Sequence, residues 1–556
     1  MSKFREYARG FERQVRDFFK ARPRFSYFCL AIAASLVPLA ISLFLHAMQN
    51  TGVSIFHAIP QYSDELFYYS QAAGTVKYGA PLGYFGYSGT HAPIGTFGAW
   101  GIATIIPYVL YGLIAGWTYY SMAGANILFL TLSVFAFIML AHPDKKTIGW
   151  LSLANLTAFF IHSYFYTSMS MPLRYSCAIV LVGMFARLYL YETRKWFRFI
   201  AVPLAVFVIS LIYYPFLVFI PPLVMARAKT KKDLACRALI SLPVTAVCSA
   251  ATLYINKLTS APYFLEGNEA MDFVKEALEY PGAAIPLAFR RLMNKAVFIN
   301  PFNMLFNNPP NNPTPLSPFR LFAISLLWIA LIVLIYFVLK HKDGRHSTVF
   351  YMSGLYFLVS MTAGSLLLNC HSDFGNFLRE TSIAYIAALY AAALCLDRKF
   401  IKIVALVSIL GIVPFWTIEY YPSFGTTRYA TASDIAYYDQ RAETYANYII
   451  VDPESDDPWD NTVAFDRSSN SLPPILWMPT GIGCNLSVLD KTDDGKLPSP
   501  AKYIVTCDGS CNGDGECTHK ETTDYLLALG YKLLYRDTDT HNAIFERPDS
   551  LDKISS

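Results

Sequence analysis

Charge is what this sequence has least of. Only 15% of its 556 residues are charged while 54% are hydrophobic, and mean hydropathy is +0.34. That balance excludes an ordinary soluble enzyme and points to a polytopic chain whose main solvent is a lipid bilayer. Its net charge of +5 is small for this length and sits in short basic clusters between apolar runs, which argues against nucleic acid as a partner. No internal repeat or low-complexity tract occurs, and the apolar runs are almost free of charge. A transporter built from repeated halves would carry ionisable groups within its spans.

What is present is a series of apolar stretches, at roughly 26–48, 93–117, 122–141, 148–166, 175–192, 198–213, 215–226, 238–256, 317–339, 348–368, 379–396 and 401–419. The first follows a basic leader with Lys3, Arg5, Arg9, Arg13, Arg16, Lys20, Arg22 and Arg24. It is too long for a cleaved signal peptide and reads as a retained anchor behind a cytoplasmic N-terminus, residues 1–25. If every run spans, each basic loop from Lys145/Lys146 to Arg398/Lys399/Lys402 falls on the wrong face. Setting aside 93–117, rich in glycine and uncharged, as a segment lying along the outer face repairs all of them together. About eleven spans remain over 26–419, with external segments 49–121, 167–174, 257–316, 369–378 and 420–556. Between Arg198 and Ala226 two passes share about 29 residues, where two crossings need roughly 40. That hairpin should therefore turn below the outer surface at Tyr213, Tyr214 and Pro215. Irregular backbone at such depth must be buried in protein or line a water-filled cavity.

The last external segment reads as a small soluble α/β domain. "NTVAFD", "KYIVTC" and "YKLLYRD…NAIFER" are strand-like and "TTDYLLALG" is a helix ending on Gly530. Cys484, Cys507, Cys511 and Cys517 lie in it at close spacing, the pattern of disulfides in an oxidising compartment. The stretch "CDGSCNGDGECTH" matches half a calcium loop but has His519 where the bidentate Glu belongs. Zinc on Cys507, Cys511, Cys517 and His519 is the alternative to a stapled loop, although the spacings are not those of a common finger.

The stretch with the most chemistry in it is "PQYSDELFYYSQ". Two adjacent carboxylates, Asp64 and Glu65, open a helix-patterned, aromatic-rich segment at the membrane boundary. An acid pair shortly after the first helix, then an interfacial aromatic helix, a His/Pro step at His91 and a second apolar interfacial helix, resembles the GT-C superfamily of integral membrane glycosyltransferases. Protein O-mannosyltransferases, aminoarabinose transferases and oligosaccharyltransferase catalytic subunits belong to it. The short hairpin and the external C-terminal domain are similar to that family as well. The resemblance implies an all-α GT-C-like membrane domain and inverting transfer of a sugar from a polyprenyl-phosphate carrier to a glycan, lipid or protein acceptor. It also implies a multi-pass protein of the inner (plasma) membrane acting on its outer face.

A polyprenyl phosphate leaves as a stable anion, so no general acid is required and one carboxylate acting as base on the acceptor hydroxyl is enough. Neighbours on a helix diverge by about 100°, so only one of Asp64 and Glu65 faces the cavity. The mannosyltransferase pattern favours Glu65; other branches of the family use an aspartate. The departing phosphate calls for a cation, with Arg379, Arg174 and Lys77 as candidates. His371, Asp373 and Glu380 cluster around Arg379 and, with His91, are expected at the cavity. Where many family members carry a lysine at the hairpin turn, this chain has Tyr213 and Tyr214, which would stack on sugar or bond phosphate. No obligate cofactor or metal is expected, since loop 167–174 supplies no Asp or Glu; a divalent ion is the alternative. A surface polysaccharide polymerase or ligase, or a transporter of a lipid-linked substrate, are the competing functions.

Overall fold

The computed structural model describes residues 20–48, 59–60, 63–83, 97, 101–155, 167–226, 230–260, 348–361, 374–394, 398–407, 431–465, 476–486, 501–506, 519–537 and 542–548, with a few single positions between them. Among the described residues, four helices are long and apolar enough to cross a membrane. They are α1 (Pro23–Met48), α4 (Ser121–Ala141), α6 (Met171–Leu190) and α9 (Lys231–Thr259). Between them run α2 (Ser63–Tyr78), α3 (Ile102–Ala115), α5 (Lys145–Ala154), α7 (Val202–Ile212) and α8 (Ile220–Met225). Two further described helices, α10 (Phe374–Ala393) and α11 (Arg398–Val407), and a helical segment with a π turn over Phe350–Leu355 belong to the apolar body. Of the eleven expected spans, 317–339 lies almost wholly outside the described residues. Helix α9 exposes Leu239, Leu242, Val247 and Tyr254, a surface that water would not tolerate along a whole helix and lipid does.

Helix α3 has 14 residues. At 1.5 Å per residue that is about 21 Å, against a hydrocarbon core of roughly 30 Å. Its start is locked to the end of α9. Phe97 N–H donates to Thr259 O at 2.8 Å, and Gly101, at φ 67°, lies so close that a Cβ would come within 2.9 Å of Thr259 Oγ1. Only glycine meets both demands.

The hairpin bends where its length required. Helix α7 stops at Ile212, Tyr213 is extended, and a 3₁₀ turn over Tyr214–Phe219 leads into α8. Phe216 and Phe219 pack with Phe357 and Phe185 beneath the bend, which buries the irregular backbone in protein.

The C-terminal stretch forms a five-stranded mixed sheet in the order β2-β1-β3-β5-β4. Its strands are β1 (Thr462–Phe465), β2 (Gly483–Leu486), β3 (Tyr503–Thr506), β4 (Lys532–Arg536) and β5 (Ala543–Glu546), with helices α12 (Ala432–Ala446) and α13 (His519–Ala528). The β1 pairings are parallel; β5 runs antiparallel to β3 and β4. Cys484, one of the four cysteines expected in disulfides, stands on β2 opposite Val463 as a buried free thiol, pushed up to about 12 by burial, and packs in the sheet's core. Cys507, Cys511 and Cys517 lie outside the described residues.

The sheet does not stand apart from the membrane body. Its larger apolar core, with Tyr445, Val463, Trp477, Tyr503 and Ile544, also takes in Ile59 and Leu66 from the first external segment. Gly83 abuts Asn461 O and Gly483 N so closely that any Cβ would collide with both. Helix α12 is tied to the end of β4 by a buried ion pair between Arg441 and Asp537. Removing one partner of such a pair strands the other charge, at about 3–5 kcal/mol. Asp537→Ala should therefore lower the melting temperature in detergent far more than Asp537→Asn, which keeps a hydrogen-bonding carbonyl.

Candidate active site

Helix α2 lies between two cores, and its sequence sets which side chain enters which. Leu66 belongs to the core of the sheet. Ala72 belongs to the core of the membrane body, with Tyr68 and Val76 packed against it. Glu65 lies within about 60° of Tyr68 and Ala72 around the helix and about 100° from Leu66. It therefore shares the face turned to the membrane body, and it is fully buried, at 0% exposure. Burying a carboxylate is costly unless polar groups surround it, so its location there calls for a role. Asp64 stands on the same helix one position earlier, but its side chain lies outside the described residues.

A second buried charge stands at the start of α6. Arg174 is the fourth residue of that helix, 2% exposed, with its guanidinium 4.5 Å from the centre of the Tyr213 ring and Nη2 donating to Ser170 Oγ at 3.3 Å. A cation in the first turn opposes the helix macrodipole, so helix stability does not explain it. An arginine together with the amide-rich end of a long helix makes a place where an anion is stabilised twice over. The hairpin bend thus supplies the surface on which the arginine rests.

The loop in front of α6 is held rigidly. Tyr108 on α3 donates to Asn126 Oδ1 at 2.8 Å, and Asn126 Nδ2 donates to Thr167 O at 2.7 Å and Met169 O at 2.8 Å. Helix α2 packs against α3, and the Tyr108 hydroxyl of α3 also lies 3.4 Å from Met169 O, in the loop that leads into α6. Thr104 donates to Ile212 O at 2.9 Å and fastens α3 to the hairpin just before Tyr213. The Ser168 hydroxyl is buried with no hydrogen-bond partner among the described residues. Sequence reading had passed over Tyr108, Asn126 and Ser168. The available signal was a polar group inside an apolar run, which needs a partner when buried.

The remaining candidates divide. Tyr213 is buried against Arg174, and Tyr214 packs beside it at 6.1 Å, partly exposed. Lys77 is exposed over the Tyr78 ring, about 18 Å along α2 from Glu65, and the structure does not bring the two together. Arg379 and Glu380 stand near the start of α10, their side chains outside the described residues. Three positions after Arg379, Ser382 Oγ lies 3.2 Å from the hydroxyl of Tyr175, the neighbour of Arg174, so α10 meets α6 at this level. His91, His371 and Asp373 lie outside the described residues, as does most of loop 257–316. Among the described residues no group of three His, Cys, Asp or Glu side chains could hold a metal ion.

No known family profile matches the chain, and no curated protein matches it in sequence. Solved structures do. One is the archaeal oligosaccharyltransferase AglB from Archaeoglobus fulgidus, in complex with an inhibitory peptide and a dolichol-phosphate. The TM-score is 0.48 at 12% identity, over 88% of this chain and 70% of that one. Another is ArnT from Cupriavidus metallidurans bound to undecaprenyl phosphate, with a TM-score of 0.38 at 13% identity, over 92% of this chain and 97% of that one. Oligosaccharyltransferases are among the groups that the first-loop pattern resembles.

Proposed function

We propose that the chain is an inverting glycosyltransferase of the GT-C superfamily that moves a sugar from a polyprenyl-phosphate carrier to an acceptor hydroxyl on the extracytoplasmic face of the inner membrane. The donor belongs to the lipid class of dolichol-phosphate and undecaprenyl phosphate. Two observations together support the reading: a completely buried carboxylate, Glu65, on a helix that packs against α3, and a buried arginine, Arg174, seated on the bend of a short hairpin that α3 also holds.

Each group then has one task. The Glu65 carboxylate takes the proton of the acceptor hydroxyl as its oxygen attacks the anomeric carbon. The bond from that carbon to the phosphate oxygen breaks, and its electron pair leaves with the polyprenyl phosphate. Attack and departure on opposite faces of the ring invert the anomeric centre. Arg174 and the amide end of α6 take up the charge that grows on the departing phosphate. Tyr108 and Asn126 hold that end of α6 in place, so no reorganisation is needed as the charge develops. The proton returns from Glu65 to water.

The test is mass spectrometry of surface glycans, glycolipids and glycoproteins from a deletion strain complemented with wild type, Asp64→Asn or Glu65→Gln at matched expression. One sugar should vanish on deletion, return with wild type and stay absent with Glu65→Gln. Restoration by both acid variants would make the acids structural and sink the mechanism.

A further inference from the structure

The C-terminal sheet has no part in the chemistry just described, yet it owns the residue beside the carboxylate. We propose that the sheet is a positioning element for Glu65, acting through Leu66; this rests on the general-base reading above. Leu66 is 1% exposed and sits among Tyr445, Val463, Trp477 and Tyr503. With one backbone step and a fixed helical turn between them, anchoring Leu66 fixes the azimuth at which Glu65 leaves the helix. Three more contacts hold α2 and the start of α4 against the same sheet. Gly481, at φ 104°, lies against the Tyr78 ring. Gly83 fits against Asn461 and Gly483. The Tyr119 ring, which Tyr69 stacks on at 6.3 Å, packs against the sheet's larger core, with the Asp439 carboxylate of α12 close enough to act on its hydroxyl. Burial, then the neighbouring Tyr69 and the Asp439 carboxylate, push the Tyr119 hydroxyl above the usual tyrosine range, so it remains a donor at physiological pH. Helix α2 is held along its length by the sheet on one side and the membrane body on the other. A displacement of about 1 Å at a catalytic group costs on the order of 10²-fold in rate.

The opposite face of the sheet provides the control. Ile504 and Phe545 lie in a separate core with Leu526 and Tyr531. Full-length Leu66→Ala, Leu66→Met, Ile504→Ala and Glu65→Gln would be compared in membranes of the deletion strain with endogenous donor and acceptor. The readout is the initial rate of formation of the missing sugar product per folded protein. Hydrogen exchange over 63–78 would be followed in parallel. Leu66→Ala should lose about 10²-fold in rate and exchange faster in α2, and Leu66→Met should recover most of both. Ile504→Ala should lower the melting temperature with the rate per folded protein unchanged. If Leu66→Ala keeps the wild-type rate while Glu65→Gln is inactive, or if Ile504→Ala loses as much rate as Leu66→Ala, positioning by the sheet is overturned. An active Glu65→Gln would remove the general base itself, and the positioning proposal with it.

Discussion

Glu65→Gln should cut the transfer rate by about 10²–10⁴-fold, the range that a positioned general base contributes, with folded protein at the wild-type level. The amide keeps the volume and shape of the carboxylate, so the packing of α2 between its two cores is preserved and only the ability to accept a proton is lost. Glu65→Asp is the sharper variant. It keeps the chemistry but retracts the carboxylate by about one bond, and if the hydroxyl must be met within hydrogen-bond reach that alone costs on the order of 10²-fold. Asp64→Asn should cost far less, because its position around the helix differs from that of Glu65 by about 100°. The comparison is a rate measurement in membranes, normalised to folded protein. Equal loss from the Asp64 and Glu65 variants would show that neither acid alone carries the proton.

Arg174→Ala should lose about 10²–10³-fold, as when one preorganised donor to a developing anion is removed. Arg174→Lys should fall between, because an ammonium keeps the charge but neither the planar fork nor the flat stack on Tyr213. Tyr213→Leu isolates the contribution of the ring. A cation–π contact is worth about 0.5–2 kcal/mol, so the variant should lose between about twofold and thirtyfold while leaving the arginine in place. Initial rates for the three variants in the same membranes give the ordering. If Arg174→Ala proves as active as wild type, the phosphate is met elsewhere, and Arg379 on α10 becomes the residue to test.

Much of this architecture was legible in the sequence because it is local. Positive residues in short loops singled out 93–117 as the run to set aside, and the helix described within it, α3, has 14 residues. The brevity of 198–226 foretold the bend at Tyr213, since two apolar passes cannot share so few residues and both cross. The strands β1, β3, β4 and β5 fall on the stretches that read as strand-like. β2, "GCNL", escaped because four residues opening on glycine carry no period. Tertiary relations were illegible for a different reason. That Arg174 rests on Tyr213, that Tyr108 reaches Asn126, and that Leu66 enters the core of the sheet are contacts between positions whose separation no periodicity encodes. The acid pair could be singled out by its surroundings, but which member faces inward depends on what packs on the other side of α2.

The division of α2 between two cores has a consequence for how the protein is made. Leu66 meets Val463 about 400 residues later in the chain, and at about 5–20 residues per second the ribosome needs roughly 20–80 s to span that interval. Throughout that time α2 has been made while the strands that will cover Leu66 do not yet exist. This aromatic helix must wait against the lipid headgroups or in the grip of a chaperone. A stop between the end of α11 and β1 would leave a chain with its membrane body synthesised and Leu66 of α2 uncovered, a form that quality control can recognise by the apolar face that never found its sheet.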